Sequence, residues 1–179
     1  MGLGNGKAVK MEISVFPKEE ISMNPDIQVA NGTCHCGTVR FRVKLSDGLN
    51  TARRCTCSYC RMRGAVAVSA ELDGLEVLEG KDALTLYQFN TGVAKHYFCS
   101  KCGIYTFHQR RSNPRQFGVN AACLEGVSPF DFAVVEVNDG INHPADHPER
   151  KSSDIVGYLY YKALNNSSNK FKIILIFRH

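Results

Sequence analysis

The stretch Thr38-Val39-Arg40-Phe41-Arg42-Val43-Lys44-Leu45 alternates without a break. Val39, Phe41, Val43 and Leu45 fall on one side, and Thr38, Arg40, Arg42 and Lys44 on the other. Successive side chains of a strand point to opposite faces, so this pattern predicts a strand with one face in a core and one in water. Cys34-His35-Cys36-Gly37 stands directly before it and the turn residues Ser46-Asp47-Gly48 directly after it.

Outward from this strand, short runs rich in β-branched or aromatic residues recur at 65–69, 75–78, 84–89, 96–98, 104–108, 117–119 and 133–137. Asp73-Gly74, Glu79-Gly80 and Asn138-Asp139-Gly140 read as turns between them. No helical stripe is sustained, so the pattern predicts a mainly β, antiparallel domain over residues 31–162. Residues 1–30 read as an N-terminal extension with one strand at 9–15. Residues 163–179 read as a C-terminal tail, in which a polar linker at 165–169 precedes the apolar segment 171–177, a late edge strand or an aggregation-prone end.

At 179 residues and 44% hydrophobic content the chain can bury a sizeable core. The longest apolar run, 173–177, falls far short of the roughly 18–20 residues that cross a bilayer, which argues against a membrane-spanning helix. No targeting or lipidation pattern opens the chain, and a cytoplasmic location is expected. Twenty-two Lys and Arg against 17 Asp and Glu give a net charge of +5, enough to draw anions but not a nucleic-acid-binding tail. The sequons at Asn31 and Asn166 are not expected to be glycosylated in such a protein.

Eight cysteines carry most of the information. In a reducing compartment thiols bind metal or do chemistry more often than they pair as disulfides. They fall as Cys34-x-Cys36, Cys55-x-Cys57-x-x-Cys60 and Cys99-x-x-Cys102, with Cys123 alone. Two short pairs on separate turns can supply four tetrahedral thiolates, and Cys34, Cys36, Cys99 and Cys102 make such a set for a structural zinc. Gly37 and Gly103, one after each pair, would permit the tight turns. The middle cluster offers three thiolates and no evident fourth, the pattern of a zinc with an open position. Two closed four-cysteine sites, or a mixed set without chemistry, fit the spacing as well.

Arg53, Arg54, Arg61 and Arg63 bracket the triad, where positive charge lowers thiol pKa and attracts anions. A carboxylate-bearing thiol would suit such a site. His35 reads as a surface residue, while His96, His108, His143 and His147 are candidates for a general base or a fourth ligand. Asn142-His143-Pro144 is either part of a site or a plain turn exit. Cys123, among small apolar neighbours, reads as a packing residue. Arg110, Arg111 and Arg115 with Phe117 read as an exposed loop between strands.

Taken together, Gly32-Thr33-Cys34-His35-Cys36-Gly37, Cys55-Thr56-Cys57-Ser58-x-Cys60-Arg61, Phe98-Cys99-x-x-Cys102-Gly103-Ile104 and Asp139-Gly140-x-Asn142-His143-Pro144 resemble the glutathione-dependent formaldehyde-activating enzyme family, which includes the centromere protein V proteins. The resemblance runs from about residue 32 to 161. It implies a β-tent, Mss-like fold with two zinc ions per chain, one on Cys34, Cys36, Cys99 and Cys102 and a second on Cys55, Cys57 and Cys60. It further implies a carbon-sulfur lyase acting on S-hydroxymethylglutathione, the adduct of glutathione and formaldehyde. In that reading Cys55, Cys57 and Cys60 are catalytic through their metal, and Arg53, Arg54 and Arg61 hold the substrate carboxylates. The centromere-type relatives imply an alternative, a non-enzymatic zinc module that contacts a protein or cytoskeletal partner. Thr56 and Met62 depart from the usual residues beside the triad.

Overall fold

The computed structural model describes residues 27–147, 149 and 154–161. The strand expected at 9–15, the linker at 165–169 and the apolar segment 171–177 lie outside them. Among the described residues ten strands form one sheet: β1 (Val29–Thr33), β2 (Arg40–Leu45), β3 (Arg53–Cys55), β4 (Ala67–Glu79), β5 (Leu84–Tyr87), β6 (Lys95–Cys99), β7 (Tyr105–Gln109), β8 (Gln116–Asn120), β9 (Val134–Asn138) and β10 (Ile155–Tyr160). The order is β10-β9-β3-β4-β8-β7-β6-β5, with β1 and β2 attached through β4. Every pairing is antiparallel except β3 with β9, which is parallel. Among the described residues no helix is long and apolar enough to cross a membrane.

The alternating stretch behaves as its pattern demands. Val39, Phe41 and Val43 are fully buried and Leu45 nearly so, while Arg40, Arg42 and Lys44 face solvent. These four join Val68, Phe107, Val119, Phe132 and Val135 in the core, where the Phe107 ring meets Phe41 and Phe117 edge-on at 5.6 Å in each case.

Three features differ from the sequence reading. The sheet takes in Val29 and Ala30, which the pattern gave to the extension; Val29 pairs with Lys44 and Ala30 with Val43. Asp73-Gly74 is no turn but the middle of the 13-residue β4. The bulge that shifts the pairing from Val43–Leu75 to Leu45–Ala70 lets one strand serve both β2 and β8. Finally, Ser58–Arg63 forms a one-and-a-half-turn helix, α1, too short to print a periodic stripe on the sequence.

Candidate metal and anion site

The first and last cysteine pairs sit at matching turns. Cys34 and Cys36 lie between β1 and β2, Cys99 ends β6, and Cys102 lies in the turn before β7. Gly37 N–H donates to Cys34 O at 3.0 Å and Gly103 N–H to Cys99 O at 2.8 Å, with both glycines at positive φ, 76° and 72°. The four sulfurs all lie within 4.8 Å of one another. Cys34 to Cys36 is 3.6 Å and Cys36 to Cys99 is 3.8 Å. A tetrahedral zinc with Zn–S bonds near 2.3 Å sets its sulfurs about 3.8 Å apart, so the donor set fits that ion. Burial pushes the Cys34 thiol up to about 11, whereas the Thr38 hydroxyl, 3.3 Å from Cys36, draws that thiol down to about 6.

The triad is built by β3, the loop after it and α1. Cys55 closes β3, and the Cys57 side chain caps α1 by accepting from Cys60 N–H at 3.4 Å, which places Cys60 one turn along. The three sulfurs also lie within 4.8 Å of one another, and among the described residues no fourth His, Cys, Asp or Glu joins them. Hydrogen bonds from Cys55 and Cys60 hold the Cys57 thiol down to about 2; the same contacts push Cys55 up through Cys57, and Cys60 up through Cys55. Arg63 Nη2 donates to Cys60 Sγ at 3.5 Å. Three thiols sharing one favoured thiolate beside a guanidinium form a donor set for a soft, thiophilic cation.

The parallel pairing of β3 with β9 brings the chain after β9 onto the triad, Cys55 standing opposite Asn138. Thr56 N–H donates to Asn138 O at 3.1 Å, and Gly140 N–H to the Thr56 hydroxyl at 2.9 Å. A Cβ on Gly140 would sit 2.2 Å from Cys55 Sγ, so no larger residue fits there. The Asp139 carboxylate accepts from the Ile141 and Asn142 N–H groups and from the Asn142 side chain, fixing the turn. Asp139-Gly140-x-Asn142 is thus both a turn and a wall of the site.

A cavity of about 420 Å³ opens beside the triad. Arg53, Arg54 and Arg61 line it, as do Arg63, Arg110 and Arg111, three that the sequence reading did not assign to substrate. Arg110 is a correction: read as part of an exposed loop, it is 8% exposed and donates to Ser69 Oγ at 3.0 Å. Of the three arginines in that stretch Arg115 is the exposed one, while Arg111 makes a two-pronged pair with Asp146. Strand parity carried the missed signal, since Arg110 follows His108 by two residues and takes the same side of the chain.

The histidines separate. His35 is exposed and His147 pairs with Glu149 at 3.3 Å. His96 and His108 face each other across β6 and β7, their rings stacked at 5.1 Å, and both line the cavity. Burial and the nearby Arg63 push His96 down to about 4, and burial drives His108 well below the usual imidazole range. The Tyr105 hydroxyl bonds to His108 Nδ1, and the Arg63 guanidinium lies 3.6 Å from the centre of the Tyr105 ring. Half-buried His143 accepts from Ala145 N–H at its Nδ1, at 3.1 Å. Cys123 is buried, and burial pushes its thiol up to about 12, as suits a packing residue.

Residues 29–134 match the family described as glutathione-dependent formaldehyde-activating enzyme. A Halomonas elongata protein named "Putative glutathione-dependent formaldehyde-activating enzyme" is 38% identical over 80 residues, covering 40% of this chain and 50% of that protein. This chain therefore spans about half the length of that curated relative. A crystal structure of a Rhodobacter sphaeroides protein is 58% identical, with a TM-score of 0.59, over 60% of this chain and 98% of that one. With the ordered cysteine clusters and the matched span agreeing, the chain belongs to the glutathione-dependent formaldehyde-activating enzyme family.

Proposed function

We propose that this protein is a zinc-dependent carbon-sulfur lyase of a reducing, cytoplasmic setting, acting on a glutathione–aldehyde adduct such as S-hydroxymethylglutathione. The observation that supports it most is the three-thiol cluster opening onto an arginine-lined cavity. Cys34, Cys36, Cys99 and Cys102 would hold one zinc and Cys55, Cys57 and Cys60 a second, two per chain, and the second would be the one to meet the substrate sulfur. A zinc held by Cys55, Cys57 and Cys60 would supply the positive charge that keeps a substrate thiol ionised at neutral pH.

In the cleaving direction the carbon-sulfur bond breaks with its electron pair passing to sulfur. The hydroxyl proton leaves, and the carbon departs as formaldehyde; the condensation is the reverse. Arg53, Arg54 and Arg61 line the cavity where the two carboxylates of glutathione would lie, and charge-assisted hydrogen bonds to them orient the sulfur. Neutral His143 accepts at Nδ1 and so carries its proton on Nε2. It is suited to donate to the adduct oxygen rather than to remove its proton, which passes to water in the open cavity.

The test measures zinc per chain in protein purified without oxygen or chelator, and the exchange of S-hydroxymethylglutathione with its components by NMR. Two zincs and exchange faster than in buffer are expected for the wild type. The Cys57→Ala variant should stay folded with one zinc and exchange no faster than buffer. One tight zinc and no acceleration by the wild type would overturn the lyase reading in favour of a binding module.

A further inference from the structure

The cavity holds a second feature, a pair of arginines that meet on one serine. Arg53 Nη2 and Arg110 Nη2 donate to the same oxygen, Ser69 Oγ, at 3.1 and 3.0 Å. Ser69 is 1% exposed and Arg110 8%. Among the described residues no carboxylate lies within 4.0 Å of either guanidinium. Glu136, which pairs in register with Arg53 and favours its charge, is exposed on β9.

Buried charge is costly unless it is paired, and two like charges converging on one neutral hydroxyl raise that cost. Burial and the neighbouring Arg53 both act against the charge of Arg110, drawing it down to about 10. No carboxylate of the described residues pairs directly with either guanidinium, and both arginines line a cavity of a size that takes small ligands.

We infer that Arg110 and Arg53, joined through Ser69, form a carboxylate-binding subsite in the wall of the cavity, with Arg110 as its buried anchor. The inference deepens the proposed lyase reading by fixing where one carboxylate of the thiol substrate docks, and it rests on that reading only for the identity of the ligand. A guanidinium offers paired donors matched to the two carboxylate oxygens, which the round ammonium of lysine does not. Ser69 holds the two forks in place, and the Phe117 carbonyl, 3.5 Å from Arg110 Nε, steadies the other side of the group. Arg61, by contrast, is exposed, so its attraction for an anion is screened by salt.

The probe is S-methylglutathione, which keeps both carboxylates and lacks a thiol, compared with its dimethyl ester by calorimetric titration of the zinc-loaded full chain. The acid should bind the wild type roughly ten- to a hundredfold tighter than the ester, the scale of a charged hydrogen bond. In Arg110→Gln that ratio should shrink about tenfold or more. Arg110→Lys, which keeps the charge and guards against a folding defect, should fall between. Equal binding of acid and ester by the wild type, a ratio unchanged in both variants, or no binding of the acid at all would overturn the subsite. Thiol exchange is measured separately. Exchange without an acid preference sinks the subsite and spares the lyase reading, whereas an acid preference lost in Arg110→Gln without exchange does the opposite.

Discussion

Gly140 shows how much a single position decides. Its backbone N–H is tied to Thr56, and the place of its missing side chain is taken by the Cys55 sulfur. A methyl group there meets sulfur and backbone rather than the end of a flexible side chain, so the triad itself must move. Gly140→Ala is expected to lose about one metal ion per chain while the Cys34, Cys36, Cys99, Cys102 set keeps its own, as metal analysis after gel filtration would show. Cys99→Ala should behave differently. The buried Cys99 ties the β6–β7 turn to the β1–β2 turn, and losing it should abolish cooperative unfolding in a thermal melt.

At the scale of the element, β2 carries the core and β4 carries the connections. Phe41 is fully buried between β1 and β4 and touches the Phe107 ring, so Phe41→Ala should destabilise the fold by about 3–5 kcal/mol in urea titration. Arg42→Ala on the opposite face of the same strand should change it by no more than about 0.5 kcal/mol. The contrast follows from the two-residue period alone. What β4 does does not: its bulge opposite Val43–Leu45 bridges two halves of the sheet through residues that look like a turn. The pairing of β3 with β9 is equally non-local, and it is what brings Gly140 and His143 to the cysteines.

Across the whole molecule, the buried imidazoles couple stability to pH. His96 titrates near 4 when folded and near 6.5 when unfolded, so the unfolded chain binds more protons between those values. The stability contributed by the neutral ring is therefore complete above about pH 6.5 and is lost as pH falls toward about 4. Wild-type urea midpoints should drop through that window, and His96→Phe should flatten the drop by up to about 1.4 kcal/mol per pH unit. Equal slopes in the two proteins would place the acid sensitivity elsewhere, in the thiolates above all.

The sequence by itself determined the buried face of β2, the predominance of strands and the clustering of seven cysteines as 34/36, 55/57/60 and 99/102, because each rests on a short period or a fixed spacing; that the first and last pairs converge was decided by the fold. The small apolar neighbours of Cys123 marked it as a packing residue, and it is buried. Tertiary structure alone decided that Asp73-Gly74 runs straight through β4, that β10 closes one edge of the sheet, and that Arg110 is buried. It also decided which arginines share a cavity: Arg53 and Arg110 are 57 positions apart and meet on Ser69 because β4 pairs with β3 on one side and with β8 on the other, and β8 pairs with β7, which Arg110 follows. A local pattern records which side of its own strand a residue takes. What stands opposite that side is set by the order of strands, which no window of sequence contains.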